Sequence, residues 1–399
     1  MTQAFVPQTF TADLASALPD DLIADITARS ATRDAAREMP FDTIDALRAT
    51  RFGALRLPVS KGGFGASWRQ TLSHVIRLAA ADSNIAHIWR NHLLLAERLV
   101  VHGPDTAVTA QLTRDVAGGA LIGLAAAETG DGSPVTRDGT GFRFSAVKKY
   151  STGTLYADWI VSYGVLDNGP RLNLLIPRDR AGITIIDDWN GMGQRLTGTG
   201  TTHFDNVALA RDEVIFPEEL ATHLMFYTST VAQLVLTAVI AGITAAVARD
   251  ARALLAARAG NRSFYYAPSE TPTDDPLLLT ALGQRSAEAF AARAIVLEAA
   301  DALDAASQAY TTGQDPAQAV SAAAIAAAKA KTVIDELAQK SASHLFDIAG
   351  ASATVRDFNL DRHWRNLRTV ASHNPAVYKA YVIGDHEVNG APVPAQGLF

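Results

Sequence analysis

The sequence predicts an α+β, mostly α chain: an N-terminal helical domain, a central antiparallel β-sheet or small barrel, and a C-terminal helical bundle. Two observations carry this. The apolar residues recur at helical steps at both ends of the chain and at every second position in the middle. The 399 residues are too many for one small core and divide where that period changes, into 1–118, 119–218 and 219–399. A content of 48% hydrophobic and 19% charged residues is that of a packed globular chain and excludes disorder.

In the first region Leu22, Ile23, Ile26, Ile44 and Leu47 step by three and four, and Pro40 ahead of Asp42 reads as a helix start. The loop Pro58–Gly65 separates these helices from a longer one over Trp68–Val101. In the second region Phe142, Phe144 and Ala146 alternate with Arg143, Ser145 and Val147. Short apolar runs follow at Trp159–Leu166, Leu172–Ile176 and Ile183–Ile186, with no helix between them, which predicts antiparallel strands. In the third region the alanine-rich stretch Ala317–Leu337 keeps an apolar face of Val320, Ile325, Val333 and Ile334, so it predicts a packed helix. The Pro- and Tyr-bearing segment Gly260–Pro276 reads as an ordered loop between two long helices.

Several functions are excluded early. The net charge is −6 and the Lys and Arg residues are scattered, which argues against a nucleic-acid or anionic-membrane surface. Without cysteine there is no disulfide, thiolate nucleophile or iron–sulfur ligand. The run Leu234–Val247 is interrupted by Thr237, Gly242 and Thr244 and is read as a buried helix; no membrane span or secretory leader is expected, and the cytoplasm is the default location. GxGxxG, P-loop and HExxH patterns are absent, and no metal site is expected.

Certain strings, in this order, resemble the acyl-CoA dehydrogenase superfamily over essentially the whole chain. They are LPVSKGGFG (57–65), AETGDGS (127–133), KYSTG (149–153) followed by Ala157–Ile160, and GMGQRLTGTGTTHFDNV (191–207). The carboxyl half narrows the resemblance to its flavin-dependent monooxygenase branch, through Arg262-Ser263-Phe264, LFDIAGASA (345–353), DRHWRNLRT (361–369) and Ser372-His373-Asn374-Pro375. The resemblance implies the superfamily's layout, with the C-terminal domain a four-helix bundle.

Chemistry separates that branch from the dehydrogenases. Abstracting a proton beside a thioester needs a positioned carboxylate. The dehydrogenases keep one shortly after the Arg-rich motif, but Thr369–Asn374 holds none. Others keep it on an earlier helix, where this chain has Ala232-Gln233-Leu234. A Gly-Gly pair that lets backbone approach a diphosphate is reduced here to Ala349-Gly350 behind Asp347, which leans towards FMN over FAD.

The resemblance also implies the site. His373 stands where the dehydrogenase base would be. His92 would line the same pocket, and Ser151 lies on the segment along the flavin ring; these three are the expected catalytic residues. Tyr150, Ser151, Thr152, Trp189, Arg262 and Phe264 are expected to bind the cofactor, Trp189 by stacking and Arg262 through the phosphate of a neighbouring subunit's flavin. His87 is read as a core residue.

The expected function is a two-component monooxygenase. It would take reduced FMN from a separate NAD(P)H-dependent flavin reductase, react with O2 through a flavin hydroperoxide, and oxygenate a small-molecule substrate, plausibly at sulfur, as a homotetramer. The alternatives are an FAD-dependent acyl-CoA dehydrogenase or oxidase with a relocated base, and an inactive structural subunit.

Overall fold

The computed structural model describes residues 13–128, 133–167, 169–261 and 263–394. Its first layer is helical: α1 (Asp20–Ala36), α2 (Phe41–Ala49), α3 (Trp68–Ala81), α4 (Ser83–Ala96) and α5 (Ala107–Ala117). Pro40 precedes α2 as expected. Ser67 and Gln70 close a capping box on α3, and the Asp82 side chain caps α4 through the Asn84 amide. Every residue of α4 is buried, and the helix runs on into a π-helical turn at Glu97–Val101.

Among the described residues nine strands form the central sheet: β1 (Ile122–Ala125), β2 (Ala127–Glu128), β3 (Pro134–Asp138), β4 (Gly141–Lys149), β5 (Trp159–Leu166), β6 (Arg171–Pro177), β7 (Ile183–Ile186), β8 (Thr201–Leu209) and β9 (Val214–Ile215). The main path runs β7-β8-β4-β3-β5-β6-β9, with β1 added on β5 and β2 on β4. A purely antiparallel sheet was expected, and here the structure corrects the sequence. Six pairings are antiparallel, but β1 and β3 both run parallel to β5. A hairpin turn can join only antiparallel neighbours; three strands lie between β1 and β5 in the chain, a connection long enough to return parallel. The register of β4 on β8 slips between Phe144 and Ala146, a bulge that bends the strand just ahead of the KYSTG segment.

The remaining helices are α6 (Leu224–Ala257), α7 (Pro276–Thr312), α8 (Ala317–Ser343), α9 (Arg362–Ala371) and α10 (Ala376–Asn389). Helix α6 is long and apolar enough to cross a membrane, yet 89% of its most apolar window is buried. It is the central post of the molecule: α3, α4, α7, α8 and α9 all pack against it. Gly242 allows the α3 contact, because a Cβ there would stand 2.6 Å from the Ile76 carbonyl oxygen. Residues 234–247, read as a buried helix, lie inside α6.

Candidate active-site cleft

Apart from His92, helix α4 is apolar except for one stripe. Ser83, Asn84, His87, Arg90 and Asn91 recur at three- and four-residue steps, so they share a face. The Nδ1 atom of His87 meets the Gln194 side-chain oxygen at 2.9 Å. Gln194 is itself tightly held: its amide nitrogen donates to Ser83, its backbone N–H to Asn366, and its φ is +52°. A left-handed glutamine is a strained backbone, maintained here by three hydrogen bonds that aim its carbonyl at His87. The bond fixes the tautomer with the proton on Nδ1. Among the described residues, Nε2 of His87 has no hydrogen bond.

Asn91 ties this helix face to the sheet. Its amide donates to the Thr152 carbonyl at 2.9 Å, and its oxygen accepts from Arg90 Nη1 at 3.1 Å. Thr152 and Thr199 share a hydroxyl contact of 2.8 Å. Ser151 is wholly buried; its N–H bonds the Gly200 carbonyl and its hydroxyl turns back to Lys148. Tyr150 takes a left-handed φ of +54° that turns its ring outward to 64% exposure. There it meets Trp189 edge-on, at 6.0 Å between ring centres. The indole is seated by Gly191, where a Cβ would lie 2.1 Å from it.

His373 follows α9, on the short link to α10, open to solvent yet surrounded by protein as a residue in a cleft is. Burial, then the charges of Arg90, His87, Lys331 and Lys379, hold its imidazole well below the usual range. Burial, with Arg90 beside it, also brings His87 down to about 4. Lys379 is pushed down to about 8 by burial and by Lys331. Lys331 pairs with Asp335 at 2.6 Å and donates to the Ala371 carbonyl, closing the far side of the cleft. Both histidines are therefore neutral at pH 7, and a neutral imidazole can accept a proton or donate one.

The structure thus joins His373 to a polar helix face that reaches Thr152 and, beside it, the Tyr150–Trp189 corner. It does not bring His92 there. The His92 Nε2–H donates to the Gly53 carbonyl at 2.9 Å, and Nδ1 accepts from the Ile122 N–H at 3.1 Å. With both nitrogens spent on backbone, His92 locks β1 to the N-terminal layer and has no atom left for substrate. His87 takes the place expected of it. Five residues on a helix are about 140° of rotation, so the two histidines face different ways. The repeating polar stripe on an otherwise apolar helix was the signal that selects His87. Phe264 makes different contacts, under the Arg258 guanidinium at 4.9 Å and against Gly350. Arg262 lies outside the described residues.

Four likenesses bear on this geometry. Residues 234–377 match the family model described as acyl-CoA dehydrogenase, C-terminal domain. Over 96% of both chains the protein is 30% identical to a Pseudomonas putida protein named "Probable FMNH2-dependent monooxygenase SfnC". It is 28% identical to dibenzothiophene monooxygenase of Mycolicibacterium goodii, over 91% of each chain. Among solved structures, methanesulfinate monooxygenase MsuC of Pseudomonas fluorescens superposes with a TM-score of 0.88 at 27% identity, covering 99% of this chain and 100% of the other.

Proposed function

The chain belongs to the acyl-CoA dehydrogenase family, with FMNH2-dependent monooxygenases as its relatives, and on that premise we propose that it oxygenates a small organic sulfur compound with reduced FMN and O2. One observation carries the choice within the family. The two places where a dehydrogenase would keep its carboxylate base are occupied by Ala232, whose carbonyl bonds the Arg90 guanidinium, and by the turn of His373, which like His87 is neutral at pH 7.

The residues present fit a flavin. Tyr150 and Trp189 offer an exposed aromatic corner of the kind a flat ring system covers, next to the hydroxyls of Thr152 and Thr199. Bound there in its reduced form, FMN supplies the electrons that activate O2. The protein's part is to position and to exclude water. Buried Asn91 and Thr152 fix the sheet edge against α4. His87, aimed by Gln194, and His373 stand ready to hold or pass the proton that oxygen transfer requires.

The same reading carries a separate NAD(P)H-dependent flavin reductase, because the chain has no dinucleotide-binding fingerprint of its own. It also carries a cytoplasmic homotetramer. Large apolar side chains stand exposed on α10, at Val377, Tyr378, Tyr381 and Val388, and Tyr265 and Tyr266, exposed as well, follow Arg262 closely in sequence.

The test is anaerobic titration with reduced FMN and reduced FAD, followed by mixing with O2 while flavin absorbance is recorded. Tighter binding of reduced FMN, and a transient that outlasts the reaction of free reduced FMN with O2, is the expected result. Tight oxidised FAD that an acyl-CoA thioester bleaches would overturn the proposal.

A further inference from the structure

His373 rides on a turn whose place is set partly from outside its own helix. Its N–H bonds the Val370 carbonyl at 3.1 Å, and Ser372 bonds the Arg368 carbonyl through both its N–H and its hydroxyl. The Ala371 carbonyl, the last of α9, is different. Continuing the helix would bring it the N–H of residue 375, but Pro375 has none to give. Lys331 on α8 supplies the donor instead, with Nζ 3.3 Å from that oxygen and 2.6 Å from Asp335 Oδ2. Lys331 is 4% exposed and Asp335 6%, so the ammonium is withdrawn from water together with its partner. Such a pair commonly gives a fold no more stability than apolar side chains of the same volume. At the end of a helix, however, an ammonium meets an orphaned carbonyl and the negative end of the helix dipole. On its outer side the same turn borders an open groove of about 840 Å3, lined by residues that include Asp335, Arg368, Ser372 and Pro375, so core packing does not back it there.

We infer that Lys331 is a positioning residue for the proposed oxygenation: its ammonium, aimed by Asp335, pins the last carbonyl of α9 and so fixes where the His373 imidazole stands in the cleft. The inference rests on the oxygenase reading above, in which His373 holds or passes a proton. Neither Lys331 nor Asp335 has to touch flavin or substrate. Placement matters at this step because a displacement of about 1 Å costs on the order of 100-fold in rate. The charge acts in the same sense. The groups that face the imidazole are Arg90 and His87 on α4, Lys331 on α8 and Lys379 on α10, with Asp335 behind Lys331. Burial is the main reason that His373 stays neutral, and these groups add to it. One lysine thus locates the ring and disfavours its protonation.

Two measurements test this, and only the second depends on oxygen chemistry. The first is the NMR spectrum of protein labelled in its histidine rings, with His373 identified by its loss in His373→Ala. Lys331→Met should move the His373 ring signals while those of His92, whose bonds go to Gly53 and Ile122, stay in place. Unmoved His373 signals overturn the inference. The second is the lifetime of the oxygen-dependent flavin transient of the protein loaded with reduced FMN. Lys331→Met should shorten it on the order of 10-fold with FMN affinity unchanged, and Lys331→Arg, which keeps a cation and a donor, should restore part of it. In His373→Ala the transient should already be short, and adding Lys331→Met should shorten it no further, because the lysine acts through the histidine. The same fold-loss in both backgrounds overturns the inference. If Lys331→Met does not fold, Lys331→Met combined with Asp335→Leu removes the whole pair at little cost and takes its place in both measurements. Absence of the transient in the natural protein would sink the oxygenase reading, and the histidine spectrum would still decide whether Lys331 places His373.

Discussion

Two polar clusters are buried along the same pair of helical segments, about two turns apart, and they are built on opposite principles. At the far end of α4, Glu97 accepts both nitrogens of Arg56 at 2.9 and 3.1 Å and the hydroxyls of Tyr227 and Ser307. Trp68 closes the network on the Tyr227 hydroxyl, and none of these side chains has an unbonded buried atom. Burial alone would raise the Glu97 carboxyl, but Arg56 and His102 hold it far below the usual range. Two turns back, Arg90 and Gln233 are just as buried; among the described residues Arg90 bonds only the neutral Ala232 carbonyl and Asn91 side chain, and the Gln233 side-chain amide has no hydrogen-bond partner. A satisfied network stabilises a fold. An unsatisfied one costs stability.

The largest effect that tests this contrast is on stability. Glu97→Gln leaves Arg56 buried without its partner and should cost about 3–5 kcal/mol. Arg90→Met should change stability by less than about 1 kcal/mol, or raise it, because no internal pair is broken. Urea denaturation of both variants checks this, and equal losses would break the comparison.

The next effect sharpens the assignment of histidines. His373→Ala and His87→Ala are each expected to lower product formation by about 10²–10⁴-fold with near-natural thermal midpoints, as loss of a proton-transfer group does. His92→Ala should do the reverse, costing about 1–3 kcal/mol of stability through two orphaned backbone groups while FMN binding persists. Exchanged outcomes would return His92 to the site.

Acid tests the same burial more gently. His87 and His92 have folded values near 4 against an ordinary 6.5, so the unfolded chain takes up protons first. The contribution of these two histidines to stability is therefore constant above about pH 6.5 and falls as the pH drops from there towards 4. Urea midpoints at pH 7.5 and 5 should show the fall, and His92→Gln should reduce its slope.

The smallest effect expected is at Gly191. A Cβ 2.1 Å from the Trp189 indole must turn the ring. Gly191→Ala should weaken FMN binding several-fold in an equilibrium titration.

The sequence by itself determined the order of the fold. Hydrophobic period is local, and its change from helical to alternating and back placed β5 and β7 at Trp159–Leu166 and Ile183–Ile186 and assigned 234–247 to a core helix. Order and spacing of motifs likewise determined the family, and the missing carboxylates pointed to oxygenation. Strand direction was not legible, because the parallel partners of β5 arrive from distant parts of the chain. The choice between His87 and His92 was legible only as the polar stripe that His87 shares and His92 leaves; packing decides it, because Gly53 and Ile122 consume one histidine while Gln194 aims the other. The uncompensated charge of Arg90 is the plainest case. An arginine's counter-ion is a neighbour in space, and which carboxylates come near it is settled only when α4, α6, α8 and the His373 turn close around the same cleft.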